Sequence, residues 1–168
     1  VLTACTMDGH IFLIKAWEKS DTNRDPDWTV PRGEVDAFVD QVMQTYDATI
    51  FADPPGWASE IEEWTRRYGK RVAVFPTATI ERMGPAVDRF FTAVATGEGL
   101  RHDGSPLLAR HISNVHTRLT RYGQVLTKAY KASPDRIDAA VSAVVAYQGV
   151  KFLQVEPKQA AKVEWINL

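Results

Sequence analysis

Short runs of β-branched and aromatic residues alternate with stretches of helical periodicity along this chain, and that alternation confines it to an α/β fold. Val1–Thr6 and Ile11–Trp17 read as strands. Met7-Asp8-Gly9-His10 lies between them, and the Asp-Gly pair predicts a hairpin with left-handed backbone at both central turn residues. Residues 18–31 are polar, hold Pro26 and Pro31, and read as a loop. From Arg32 the period changes. Val35, Phe38, Val39, Val42, Met43 and Tyr46 recur at i, i+3, i+4, i+7, i+8 and i+11, an amphipathic helix.

The pattern then repeats. Thr49–Ala52 is a short apolar strand cut off by Asp53-Pro54-Pro55-Gly56. Trp57, Ile61, Trp64 and Tyr68 form a second helical stripe closed by Gly69. Val72–Phe75 is another buried-type strand, ended by Pro76. Val87, Phe90, Phe91 and Val94 mark a third helix that Pro85 either starts or interrupts, and Gly97 and Gly99 end it. Pro106–Val115 reads as helix, and Thr117–Thr120 with Gln124–Ala129 as a second hairpin around Tyr122-Gly123. Ser133-Pro134 predicts the start of a last helix carrying Ile137, Ala140, Val141, Val144 and Val145. After Gly149 the sequence turns polar and reads as an irregular tail, 151–168, behind a single domain, 1–150. The expected architecture is a mixed sheet, antiparallel at the first hairpin and parallel among the later strands, with helices on both faces.

Composition supports a folded domain: 168 residues, 45% hydrophobic and 24% charged. A disordered tail, a collagen-like repeat and a disulfide-stapled miniature are excluded. The single cysteine, Cys5, allows neither an internal disulfide nor a cysteine-based zinc site. No apolar run approaches the roughly 20 residues of a membrane span, so no membrane partner is expected. Val1 opens directly inside an apolar run, which suggests a piece of something longer.

The net charge of −1 conceals a gradient. Residues 1–64 hold 4 Lys/Arg against 13 Asp/Glu, and residues 65–168 hold 16 against 8. Such asymmetry hints at a polyanion partner, although a fold can also mix the two halves in space. Residues 101–136 concentrate Arg101, Arg110, Arg118, Arg121, Lys128, Lys131 and Arg136 against Asp103 and Asp135. Surfaces of that kind supply phosphate contacts, and equally they can be a solvated face.

Two carboxylates stand out. Asp53 ends a strand, where α/β folds bind ligands, though Asp is also a common turn former. Asp138 shares a face with Val141 and Val145 on a helix that reads as buried nearly all round. A carboxylate there needs a partner such as a metal ion or an arginine, unless it merely complements the helix dipole. Asp135 fits the dipole role better, being nearer the expected helix start. His111 and His116 lack metal-ligand spacing, and there is no P-loop, dinucleotide-binding glycine turn or nucleophile elbow.

Taken in order, these residues resemble a known family. Asp8-Gly9 between strands and Trp17-Glu18 come first, followed by Val35-Asp36-Ala37 on a helix. Ala52-Asp53-Pro54, Trp57, Glu60 and Trp64-Thr65-Arg66-Arg67-Tyr68-Gly69 come next. Leu108-Ala109-Arg110-His111 with Asn114, Lys128, and Arg136-Ile137-Asp138-Ala139-Ala140-Val141 complete the series. Over roughly Val1 to Gly149 the chain resembles the C-terminal nuclease domain of tailed-phage terminase large subunits, the DNA-packaging motors.

The resemblance implies a ribonuclease-H-like fold and endonuclease activity on concatemeric double-stranded DNA, driven by two Mg²⁺ or Mn²⁺ ions. It implies Asp53 and Asp138 as catalytic metal ligands, with Asp135 as an accessory. Lys128, Arg118, Arg121, Lys131, Arg136 and His111 are then expected to meet DNA. Implied partners are an N-terminal ATPase domain, the small terminase subunit and the portal, in the host cytoplasm during virion assembly. In the family a further acid lies near the start of the first strand, and Val1–Thr6 matches the end of that strand. Asp8 does not replace it, so the 168-residue chain is expected to bind metal poorly and to cut DNA weakly or not at all. The alternatives are a non-enzymatic domain of the same fold that binds DNA or docks on the portal, and a nuclease of the junction-resolvase type.

Overall fold

The computed structural model describes residues 1–20 and 22–163, with side chains as far as Val155. The chain is mixed α/β and divides into two compact units: one made of Val1–Lys15 and the residues from Thr77 onward, the other of Ala16–Pro76. Among the described residues the strands form three hydrogen-bonded groups rather than the single sheet expected.

In the first unit, β1 (Leu2–Cys5) and β2 (His10–Lys15) pair antiparallel, with Ala4 opposite Phe12 and Cys5 opposite Ile11. The turn between them differs from the expected two-residue type. The Gly9 N–H donates to the Thr6 carbonyl at 2.9 Å, and Gly9 alone is left-handed, with φ 87°. Asp8 keeps a negative φ because its carboxylate is tied to the Thr6 hydroxyl and to Arg101. Glycine is required at position 9 for a second reason: a Cβ there would overlap the Gly99 carbonyl oxygen. That close approach brings β5 (Arg101–His102) parallel to β2, making a mixed sheet in the order β1-β2-β5. Asp103 prolongs the pairing by accepting the Leu13 N–H at 3.2 Å.

Helix α3 (Ile80–Thr96) begins five residues before Pro85, so the proline lies inside a longer helix rather than starting it. Its Met83, Ala86, Val87, Phe90 and Ala93 are buried, and left-handed Gly97 ends it. Helix α4 (Pro106–Ser113) is capped by Ser105, whose hydroxyl accepts the Leu108 N–H at 3.3 Å. The hairpin of β6 (His116–Thr120) and β7 (Gly123–Thr127) follows, and β7 packs on α3. There the Asp88 carboxylate accepts the Gln124 N–H at 3.0 Å.

Helix α5 (Asp138–Val163) starts four residues later than Pro134 predicts and runs on past Gly149, where an irregular tail was expected. The remaining residues of that tail, 164–168, lie outside the described residues. Ser133 is not its cap. The hydroxyl instead accepts the Asp135 N–H at 3.2 Å and donates to the Asp135 carboxylate, a local turn that competes with helix. Ala139, Ala140, Ala143, Val144, Val145, Tyr147 and Val150 are buried, and α5 packs against β1, α3 and α4. Burial on this scale, about 25 cal/mol per Å² of apolar surface, is what holds the long helix in place. Among the described residues no helix is long and apolar enough to cross a membrane.

The second unit has α1 (Arg32–Thr45), β3 (Ile50–Ala52), α2 (Ala58–Tyr68) and β4 (Val72–Val74). β3 and β4 pair parallel, Ile50 opposite Val72 and Ala52 opposite Val74. Val35, Val39, Met43, Ile61, Trp64 and Val72 form its core. The buried Trp64 satisfies its indole N–H on the Asp36 carboxylate at 2.7 Å. Arg67 bridges Asp36 and Asp40 on the same helix pair. Helix α1 has no basic residue in its last turn, and Arg71 supplies the need from a 3-10 turn at Gly69–Arg71. Its guanidinium donates to the carbonyls of Met43 at 3.0 Å, Tyr46 at 2.7 Å and Ala48 at 2.9 Å.

Candidate functional site

Asp53 is half-buried and follows β3 directly, at the carboxyl end of the parallel β3–β4 pair. The chain then reverses sharply: the Trp57 N–H donates to the Pro54 carbonyl at 2.9 Å, and Gly56 takes φ 75°. Arg32 of α1 pins this turn. Its guanidinium donates to the Gly56 carbonyl at 2.6 Å, pairs with Glu60 and lies 4.8 Å over the Trp57 ring. The hydrogen bond from Arg32 also holds the Glu60 carboxyl below its ordinary range. A strand end, two prolines and an arginine brace thus fix the backbone from which Asp53 projects.

The second cluster surrounds the start of α5, within the first unit. Asp138 is the first residue of α5 and is exposed, not buried as its sequence neighbours suggested. The helix buries most of residues 139–150, but its first position presents Asp138 to solvent. The carboxylate therefore needs no buried partner and sits at the positive end of the helix dipole. Asp135 is exposed in the Ser133 turn, one loop earlier. Lys128, at the end of β7, donates to the Ser133 carbonyl at 3.1 Å and ties the hairpin to that loop. Arg136 is half-buried, and its carbonyl accepts the Asn114 carboxamide N–H at 3.0 Å.

His111 differs most from expectation. It is 0% exposed, and its Nδ1 accepts the Ala139 N–H at 3.0 Å. A side chain so enclosed is not a surface phosphate contact; it caps α5. Arg118, Arg121 and Lys131 are exposed. Arg121 stacks 4.7 Å over the Tyr122 ring and stands 3.9 Å from Glu81. Leu119, between the two arginines, is 79% exposed.

Lys128, Asp135, Arg136, Asp138 and His111 therefore gather about one loop and helix start, while Arg118 and Arg121 lie along the hairpin and Asp53 belongs to the other unit. Sequence reasoning named Asn114 only as part of the resemblance, with no role assigned, and passed over Arg32. The i, i+3 spacing of His111 and Asn114, which aligns them at the end of α4, was the physical signal for the first. Among the described residues no group of three or more His, Cys, Asp or Glu side chains is placed to hold a metal ion. Burial pushes the Cys5 thiol up to about 11, which keeps it protonated and unreactive at neutral pH.

The charge gradient resolves differently in space. The second unit has 7 Lys/Arg against 12 Asp/Glu, and the first has 13 against 9. Arg67 and Arg71, from the basic half of the sequence, neutralise carboxylates and carbonyls inside the acidic unit.

The chain is similar to the Gene 13 protein of Mycobacterium phage L5, with 32% identity over 159 residues, covering 87% of this chain and 26% of that protein. It is similar to the Gene 13 protein of Mycobacterium phage D29 at the same identity and coverage. The chain thus spans about a quarter of the length of these curated relatives, and the similarity ties it to bacteriophage proteins. No family model matches it. No solved structure matches it.

Proposed function

We propose that this chain is the nuclease domain of a tailed-phage terminase large subunit, of ribonuclease-H-like fold, that cuts concatemeric double-stranded DNA. The observation that carries the reading is Asp53 at the carboxyl end of a parallel strand pair, on a backbone braced by Arg32. Similarity to about a quarter of two longer phage proteins supports a domain within a larger machine. In that machine the ATPase domain, the small subunit and the portal are the proposed partners.

The donor chemistry fits Mg²⁺ or Mn²⁺. Carboxylate oxygens are the ligands such ions take, and Mg²⁺ is commonly held by one or two carboxylates, with water and substrate phosphate completing the shell. Following the resemblance, Asp53 and Asp138 would each offer a carboxylate to a metal ion, with Asp135 close in sequence to Asp138 as an accessory. Such ions, when bound, would supply an activated water and positive charge for the leaving oxygen of the phosphodiester. The chain's own residues do the rest. Arg118, Arg121 and Lys131 offer exposed positive charge to the DNA backbone. Lys128 carries a cation at the loop before Asp138 while fixing that loop through Ser133. None of these cations reads a base, so binding is independent of sequence.

A second reading, a DNA-binding domain without catalysis, draws on the exposed Arg118-Leu119 hairpin, which can engage a duplex without any metal. One experiment separates the two. The full-length gene product is incubated with supercoiled plasmid and Mn²⁺, beside Asp53→Asn and Asp138→Asn. The nuclease reading expects nicking and linearisation that EDTA abolishes and that each variant lowers at least 100-fold. Cleavage that persists in both variants overturns it, and DNA binding without cleavage under any divalent ion selects the second reading.

A further inference from the structure

We propose that His111 and Asn114 are positioning residues that set the place of Asp138; the inference rests on the reading of Asp138 as a metal ligand. Both side chains come from the C-terminal end of α4, His111 from its last turn and Asn114 from the residue that caps it, and both act on the backbone around Asp138. Asn114 donates from its carboxamide to the Arg136 carbonyl at 3.0 Å, two residues before Asp138. His111 accepts at Nδ1 from the Ala139 N–H at 3.0 Å, the residue after it. The two bonds straddle Ile137-Asp138. Ile137 is itself buried at 9% exposure, so the peptide unit leading into Asp138 is held on three counts.

The arrangement answers a need that the sequence leaves open. The first turn of a helix has N–H groups without partners inside the helix, usually met by a Ser, Thr, Asp or Asn side chain just before it. At α5 that position is Ile137, which has no acceptor, and Ser133 is engaged with Asp135. The cap comes instead from another helix. Because Nδ1 accepts a hydrogen bond it carries no proton, so the ring is the neutral tautomer protonated at Nε2. His111 is also 0% exposed, so its ring fills volume as well as accepting a bond. An exposed carboxylate has no packing of its own to fix it, and its position follows the backbone that carries it. Residues that orient metal ligands in this indirect way typically change affinity about 10–100-fold when removed.

The two functions of the ring can be separated by substitution. In Asn the side-chain oxygen stands where His has Nδ1, so His111→Asn keeps the acceptor and loses volume. His111→Leu keeps volume and loses the acceptor. A merely structural histidine makes Leu the better replacement, whereas a positioning histidine makes Asn the better one for metal binding.

The test uses the full-length gene product free of nucleotide, with Mn²⁺ as the probe, free Mn²⁺ measured by electron paramagnetic resonance, and hydrogen exchange read on the peptide containing Ala139. The expected result is affinity within about threefold of the parent for His111→Asn, and at least tenfold weaker for His111→Leu, with Ala139 protection following the same order. Asn114→Ala should also weaken Mn²⁺ binding about tenfold, and it keeps the inference testable if His111→Leu does not fold. Asp138→Asn is the reference. If it weakens Mn²⁺ binding while His111→Leu and Asn114→Ala do not, the positioning inference is overturned and the metal reading stands. If Asp138→Asn itself has no effect, the metal reading falls and the inference falls with it.

Discussion

Gly84→Ala sets two well-known effects against each other at one position. In a helix interior, alanine is favoured over glycine by about 0.8–1 kcal/mol. Gly84 lies inside α3, so propensity alone makes the change stabilising. The packing argues the opposite. A Cβ at Gly84 would overlap the Tyr122 carbonyl oxygen and stand 2.9 Å from the Tyr122 carbonyl carbon and 3.4 Å from the Gly123 nitrogen. All three are backbone atoms, so no rotamer change can relieve the contact and the β6–β7 hairpin must shift. Overpacking of this kind costs about 1–3 kcal/mol. Pro85 adds to it, because a Cβ on the residue before proline disfavours helical backbone. The net expectation is a loss of about 0–2 kcal/mol, set by the difference between these ranges. Gly33 is the matched control, since it lies in the first turn of α1 and a Cβ there meets nothing within 4 Å. Gly33→Ala should be neutral or stabilising by up to about 1 kcal/mol. Urea unfolding followed by far-ultraviolet circular dichroism reads both. Gly84→Ala stabilising the protein as much as Gly33→Ala would refute the claim that α3 and the hairpin touch backbone to side-chain position.

Two further outcomes follow from the charges. Arg118→Ala with Arg121→Ala should weaken double-stranded DNA binding at 100 mM salt and reduce the slope of log K against log salt by about 0.9 per lost phosphate contact; an unchanged slope excludes those arginines from the interface. Asp36 gives an acid prediction. Burial works to raise its carboxyl, but the hydrogen bonds from Trp64 and Arg67 prevail and hold it below its ordinary value of 3.8. A carboxylate with a lowered folded value contributes stability that is full above its unfolded value and is lost as pH falls through the folded one. Tryptophan fluorescence of Asp36→Asn should therefore show less destabilisation between neutral pH and pH 3 than the parent shows, and identical acid profiles would contradict the Trp64–Asp36–Arg67 linkage.

Much of the chain's local order was legible because it rests on short-range rules. The i, i+3, i+4 stripe from Val35 to Met43 became α1, with Tyr46 exposed just past its end, and Gly69 and Gly97 ended helices with positive φ. The failures arose where distant groups compete with local ones. Ser133-Pro134 has the form of a helix start, yet Ser133 spends its hydroxyl on Asp135 and the cap arrives from His111, 28 residues away. Asp8-Gly9 has the form of a two-residue turn, yet the Asp8 carboxylate is held by Thr6 and Arg101. For the candidate site, the residue types were readable at Asp53 and Asp138, but exposure was not. An apolar run marks a buried helix without saying which end emerges, and the first turn of α5 does so at Asp138.

The division of the chain into a continuous unit and a split one has a consequence for how it is made. Contacts inside Ala16–Pro76 are short in sequence, the Arg67–Asp36 bond spanning 31 residues. Contacts of Val1–Lys15 reach much farther: Arg101 meets Asp8 across 93 residues, and Gln154 donates to the Met7 carbonyl across 147. Chain segments with local contacts form early, and those that wait on distant partners form late. During vectorial synthesis Ala16–Pro76 can complete its pairings before α5 has been made, whereas the β1–β2 hairpin, made before it, must hold its apolar face unsatisfied until α5 exists. For this hairpin the order of synthesis and the order of folding are inverted.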